Sequence, residues 1–301
     1  MKPGVSPSLP RELALPGYDV RLALQHTAQG WGLLGFYEGY RLVFSGTFNS
    51  WRLFQERWLK FSMPRRPNPS QVGTIDIYEL FSPSARLAWR RAAARARRGR
   101  RTVGAEDIFL SLLRSDSVKN LLRRLKVSAG VAEQFLTNYL RLSPPASMQA
   151  VQLAPLEAFL IAAKLHNHKI GTLMLLGALM QTLPAGHVLQ AIFTNIGLTY
   201  DKLELFSVWR LNLNYDFPAG SPSAKMLYCC RQAQGLEEHF GYFYELPAIE
   251  AAVRLSAGQT LKDLEHKQAL ALLIRAGLLA AARQSRTVTE SLVNQAAARQ
   301  S

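Results

Sequence analysis

The strongest constraint on this chain is that its sequence repeats. Val103-Gly104 opens an apolar run that reaches Leu112, and Ile170-Gly171 opens one that reaches Leu179; each pair of positions lies 67 residues apart. Residues 154–179, APLEAFLIAAKLHNHKIGTLMLLGAL, read as helix, short polar break, Ile-Gly and apolar helix, the order already seen before Leu112. VLQAIFTNIGL (188–198) answers NLLRRLKV (120–127), with about four residues inserted. A repeat of this length is one supersecondary unit that covers its apolar face with its neighbour. The expected outcome is a pseudo-twofold helical unit, with copies at about 78–142 and 148–210.

Within the first copy the period is helical. Phe81, Ala85, Ala88, Trp89, Ala92 and Ala96 form one stripe, small enough for a second helix to approach closely. Around it stand eight arginines in residues 86–101, with no acid among them. Gly99 and the RRTVG segment break this helix. Glu106 and Asp107 fall in the first turn of the next, where exposed N–H groups favour negative charge. Ile108, Phe109, Leu112 and Leu113 supply its buried side, and VKNLLRRLKVS (118–128) adds a third helix. SPPAS (143–147) separates the copies. NYDFPAGSPSA (214–224) reads as a linker to a C-terminal helical domain, 225–301. There Ile249, Ala252, Val253 and Ser256 form one core stripe and Ala269, Leu272, Leu273, Ala276 and Ala280 another. Thr287 and Glu290 have the spacing of a capping box ahead of a last helix. The fold class expected is all-α.

The first 71 residues differ from the rest. Residues 1–30 are Pro-rich, and 31–61 hold ten of the 29 aromatic residues, interleaved with cations. Trp51, Phe54, Trp58 and Phe61 recur at helical spacing in WRLFQERWLKF. Together with Trp31 they are expected either to lie in an anionic membrane interface or to pack on the domain that follows. MPRRPNPSQ (63–71) ends that segment as a linker, because three prolines cannot continue a helix. No uncharged apolar run is long enough to span a bilayer, and the N-terminus lacks the apolar stretch of a signal peptide. The two cysteines, Cys229 and Cys230, are adjacent and form no disulfide framework. These features point to a cytoplasmic protein, with peripheral attachment to the inner face of the membrane as an alternative.

The net charge of +15 is lopsided: residues 1–144 carry 23 Lys/Arg against 10 Asp/Glu, and residues 145–301 carry 13 against 11. A basic body favours phosphates, anionic lipid or acidic proteins. The arginine helix therefore has three readings: a solvated face, a contact for acidic protein or lipid, or a grip on a nucleic-acid backbone. No catalytic constellation accompanies it. His166 and His168 are two apart, the acids at 237–238 lack metal-ligand spacing, and there is no G-x-S-x-G. No metal or cofactor is expected.

Residues 81–128, from FSPSARLAWRR through RTVGAEDIFLSLL to LLRRLKVS, resemble the amino-terminal repeat of the Clp unfoldases. The landmarks are Phe81-x-x-x-Ala85, the alanine-rich helix, Val103-Gly104-x-Glu106 before a leucine-rich helix, and Leu122-x-x-Leu125-x-Val127 at the close. The second copy is similar but degraded. EHFGYFYELPAIEAAVRLS and LEHKQALALLIRAGLLAAA resemble the helical lid that closes the first ATPase module of the same family. The resemblance covers about 78–210 and 237–300. It implies a recognition domain followed by a lid, yet the ATPase core that joins them in the family is replaced by a linker. No G-x-x-x-x-G-K-[ST] is present, so phosphoryl transfer lacks its cradle and lysine.

The resemblance also implies a role for Glu106, since the matching glutamate lines a pocket for phosphoarginine or partner side chains in Clp amino-terminal domains. The residue-level reading is a helix-start acid. In the second copy Leu173 occupies the equivalent place, and Ala105 stands where the family usually has Thr. The candidate partner-binding residues are thus Val103, Gly104, Glu106, Arg97, Arg98 and Arg101. The function expected is a non-catalytic module that recognises protein substrates or adaptors, or docks on a Clp unfoldase, in protein quality control.

Overall fold

A computed structural model describes residues 34–38, 41–45, 73–142, 148–165, 167, 169–213, 215, 217–218, 221–256 and 262–299. Trp31, Trp51, Phe54, Trp58 and Phe61 lie outside these residues. The described residues are mostly helical, as expected, and contain twelve α-helices.

The start of the aromatic segment forms strands. Strands β1 (Leu34–Glu38) and β2 (Arg41–Ser45) form an antiparallel hairpin, and β3 (Gly73–Asp76) adds to the outer side of β2. The register pairs Glu38 with Arg41, leaving a two-residue connection. LGFYE and RLVFS are rich in residues that suit a pleated surface, and Gly35 weakens a helix. A 3₁₀ turn, Ile77–Leu80, then delivers the chain to Phe81.

Two sets of four helices follow. The first comprises α1 (Pro83–Arg98), α2 (Ala105–Leu112), α3 (Asp116–Arg124) and α4 (Ala129–Leu142). The second comprises α5 (Met148–Lys164), α6 (Thr172–Thr182), α7 (Val188–Asn195) and α8 (Tyr200–Arg210). Helix α5 begins earlier than the sequence pattern suggests and carries Pro155 inside it. The alanine stripe of α1 is buried throughout, together with Phe81 and Trp89. Phe81 forms a parallel bridge with Ile170: the Ser82 N–H donates to the Ile170 carbonyl at 2.9 Å, and the Ile170 N–H to the Leu80 carbonyl at 2.9 Å. One strand-like crossing therefore ties the start of the first set to the break between α5 and α6 in the second.

A polar pair pins the second set internally. The Lys164 ammonium on α5 pairs with the Glu204 carboxylate on α8 and lies 5.9 Å from the centre of the Tyr200 ring. Burial, followed by the nearby Glu204 charge, pushes the Tyr200 phenol well above its ordinary range.

The C-terminal unit has α9 (Pro222–Phe240), α10 (Leu246–Leu255), α11 (Lys262–Ala282) and α12 (Glu290–Ala298). A short parallel pair, β4 (Phe243–Tyr244) with β5 (Thr287–Val288), closes it. Helix α9 starts inside the expected linker. Ser221 caps it by accepting the Ala224 N–H at 3.1 Å, and Pro222 occupies the first turn; Ser82 and Pro83 start α1 in the same way. The expected capping box at Thr287 and Glu290 is not formed. Thr287 is drawn into β5, the N-cap is Thr289, and the Glu290 carboxylate instead accepts from Arg254 at 2.9 Å. Both core stripes foreseen for this unit line its interior, with Val253 half-buried. Cys229 and Cys230 are free and buried, and burial pushes the Cys229 thiol up to about 11.

Gly277 on α11 leaves room for the buried Tyr244, whose hydroxyl donates to the Leu273 carbonyl at 3.0 Å. A Cβ at Gly277 would meet that hydroxyl at 2.8 Å, whereas one at Gly235 on α9 meets nothing within 4 Å. Gly277→Ala is therefore expected to lower stability by about 1–3 kcal/mol. Gly235→Ala is expected to raise it by about 0.5–1 kcal/mol. Thermal melts of the two variants check both signs.

Candidate partner-binding site

The expected site residues lie around the break between α1 and α2. Helix α1 ends at Gly99, and Arg100 turns the chain with φ 50°. Gly104, in an extended conformation, then leads into α2. Asp107 holds this break together. The Arg101 guanidinium grips its carboxylate through both terminal nitrogens, one bond measuring 2.8 Å. The Gly104 N–H donates to the same carboxylate at 3.1 Å, which occupies one exposed donor of the helix start. Arg95 donates to the Asp107 carbonyl at 3.2 Å and Arg101 to the Thr102 carbonyl at 3.2 Å. The bond to Asp107 raises the Arg101 pKa, while burial lowers that of Arg95.

Arg101 and Gly104 are thus brought together, by a residue that sequence reasoning assigned only to helix-start electrostatics. Val103 is half-buried beside them, and Arg97 and Arg98 project from the end of α1 into solvent.

Glu106 turns the other way and is 0% exposed. Its carboxylate lies 3.3 Å from Nε2 of His187, which is also buried. His187 is the N-cap of α7: its Nδ1 accepts the Leu189 N–H at 3.2 Å. Since Nδ1 is the acceptor there, the ring proton is placed on Nε2, on the side of the Glu106 carboxylate. His187 was not singled out in the sequence. The signal for it was positional: it precedes α7 as Ser115 precedes α3, and Ser115 caps α3 by accepting the Val118 N–H at 3.3 Å.

The reciprocal contact is present. Ser115 Oγ lies 3.2 Å from Oγ1 of Thr172, at the start of α6. So the start of α2 meets the cap of α7, and the start of α6 meets the cap of α3. A carboxylate and an imidazole make the first contact and two hydroxyls the second, because Leu173, buried, holds the place matching Glu106.

A second polar centre joins the helical sets to the C-terminal unit. Arg124, at the end of α3, is buried and binds Glu237 of α9 through two bonds of 2.9 and 2.8 Å. It also donates to the Tyr244 carbonyl at 2.7 Å and lies over the rings of Trp209 and Phe243. Glu237 in turn accepts the Tyr244 N–H at 2.8 Å. Arg123 stacks on the other part of this junction, 3.7 Å from the Phe243 ring centre, and Lys126 pairs with Glu245 at 2.8 Å. Neither Arg124 nor Glu237 was a candidate from the sequence, because a contact spanning 113 positions has no local signature.

A groove of about 830 Å³ runs between α11 and α12, lined by Gln268, Arg275, Leu278, Leu279, Ala296 and Arg299. Leu278 is 62% exposed at its edge. Among the described residues no cluster of three or more His, Cys, Asp or Glu side chains is placed to hold a metal ion, and no helix is long and apolar enough to cross a membrane.

Comparison of the chain with known protein families, curated proteins and solved structures finds no match.

Two substitutions test the polar centres. Arg101→Met leaves the Asp107 carboxylate buried without its cation and is expected to lower stability by about 3 kcal/mol, more than Asp107→Asn, which releases Arg101 to solvent. Arg124→Ala strands Glu237 and is expected to lower stability by about 3–5 kcal/mol. Urea unfolding gives the magnitudes. Amide exchange in the Arg124 variant should show lost protection across the α3–α9 junction.

Proposed function

We propose that the two helical sets are a pseudo-twofold double repeat of the Clp amino-terminal type, joined to a lid-like helical unit. The observation that carries this reading is the reciprocal contact of helix starts. Glu106 meets His187 at 3.3 Å and Ser115 meets Thr172 at 3.2 Å, so equivalent helices exchange equivalent roles. The N-cap glycines Gly104 and Gly171, 67 positions apart, support the same pairing.

On this reading the chain is a non-catalytic, cytoplasmic interaction module for protein quality control. It recognises protein substrates or adaptors, or docks on a Clp unfoldase, and it uses no metal or cofactor. The groove between α11 and α12, with Leu278, Leu279 and Ala296 beside Gln268, Arg275 and Arg299, is the kind of surface that takes an amphipathic partner helix. The rim at Val103, Arg97, Arg98 and Arg101, over the buried Gly104, is a second surface whose charge selects an anionic partner. Glu106 acts here as a buried strut: a partner side chain reaches its carboxylate only where the contact with His187 opens. Attachment to an anionic membrane through residues 31–61 is a separate proposal, carried by their aromatic and basic composition alone.

The test is direct binding. Purified chain is mixed with the purified Clp unfoldase of the same organism at low salt, and complex formation is read by sedimentation. A complex that Leu278→Asp weakens by at least tenfold is the expected result. Free sedimentation of both proteins across the concentration range overturns the docking reading.

A further inference from the structure

The arginines of α1 are not all used by the fold. Of the eight between 86 and 101, Arg95 and Arg101 are drawn to Asp107, and the Nε of Arg90 donates to the Tyr78 hydroxyl at 2.9 Å. Arg91, Arg97, Arg98 and Arg100 are exposed, and none of them pairs with a carboxylate among the described residues. The acids whose fields reach this end of α1 are few. Asp107 and Glu106 are buried, and Glu133 of α4 is held by Arg114 at 2.6 Å. Four guanidinium groups with no carboxylate partner among the described residues thus line the second half of α1 and the turn after it.

We propose that this face of α1, with Arg91, Arg97, Arg98 and Arg100 at its centre, is a docking surface for the phosphate backbone of double-stranded nucleic acid, independent of base sequence.

The spacing suits a continuous polyanion. Arg90 and Arg97 are seven residues apart, as are Arg91 and Arg98, so each pair spans two turns, about 10.5 Å of helix axis. Duplex DNA presents a phosphate charge roughly every 1.7 Å of its own axis, so two turns of α1 run beside about six charges. Guanidinium forks bind phosphate oxygens two at a time.

The chemistry around the arginines disfavours the other polyanions. A tight protein contact is centred on buried apolar or aromatic anchors, and a helix on lipid inserts an apolar face. The apolar side of α1 is already spent in the core: Ala85, Ala88, Trp89, Ala92 and Ala96 are buried. Its outer side offers one large apolar group, Leu87, 47% exposed. A backbone grip needs no such anchor. Base reading or single-strand stacking would need a free aromatic platform. Among the described residues Tyr78, which meets α1, is engaged by Arg90 and lies 5.6 Å from the Arg86 guanidinium.

Fluorescence anisotropy of the full chain with two labelled duplexes of unrelated sequence tests this. Equal affinity for both is expected, with a log–log salt slope of about −4, a fall of roughly a hundredfold between about 50 and 200 mM salt. Arg91→Ala/Arg97→Ala/Arg98→Ala should flatten the slope by about three and weaken binding at low salt at least tenfold, with an unchanged thermal melt. The corresponding triple lysine variant should keep the slope. Absence of duplex binding at low salt overturns the proposal, as does binding that the triple alanine variant leaves intact. Polyglutamate or phosphatidylglycerol vesicles that bind more tightly than duplex, and lose binding in the same variant, assign the surface to acidic protein or lipid and overturn it equally.

Discussion

The first turn of a helix leaves backbone donors without partners, and in a bundle of short helices those turns must be buried somewhere. This constraint organises the two helical sets. The start of α2 is closed by the Asp107 carboxylate on the Gly104 N–H, that of α7 by the His187 ring, and that of α3 by the Ser115 hydroxyl. Because these ends face one another across the sets, the capping groups also meet. Glu106 and His187 are the extreme case, a carboxylate and an imidazole both removed from water. Burying either alone would be costly. Buried side by side at 3.3 Å, the two groups meet where the first set rests on the second.

Arg124 extends the same logic to the C-terminal unit. Its guanidinium satisfies Glu237 and the Tyr244 carbonyl while its faces meet Trp209 and Phe243. The short β4–β5 pair lies directly behind, so one side chain couples α3, α8, α9 and the small sheet. Such a centre contributes little net stability over an apolar replacement of equal shape, and a great deal of specificity in how the units meet.

Local pattern made most helices readable before any coordinates. The stripe from Phe81 to Ala96 and the stripe from Ala269 to Ala280 lie buried where their period puts them. The Gly-to-helix starts at 104 and 171 followed from the repeat. What was not readable were contacts between distant residues: His187 with Glu106, and Arg124 with Glu237. The residues alone made Glu106 a helix-start acid and the Clp resemblance implied a pocket role; only the position of His187 reveals its inward turn. Boundaries slipped where a local signal was outbid by a tertiary one. Thr287 matched a capping box, yet pairing with Phe243 took it into a strand. The strands at 34–38 and 41–45 were not foreseen, although their two five-residue runs suit a pleated surface.

The pairing of helix starts across the sets makes one demand of a single proton. With Nδ1 of His187 accepting from Leu189, the ring proton is placed on Nε2. Long-range nitrogen–proton correlation spectra of the His187 imidazole at neutral pH report that state directly. The account predicts the Nε2–H tautomer, shifting in Glu106→Leu as the facing carboxylate is removed. A proton on Nδ1, or spectra indifferent to Glu106, would contradict it.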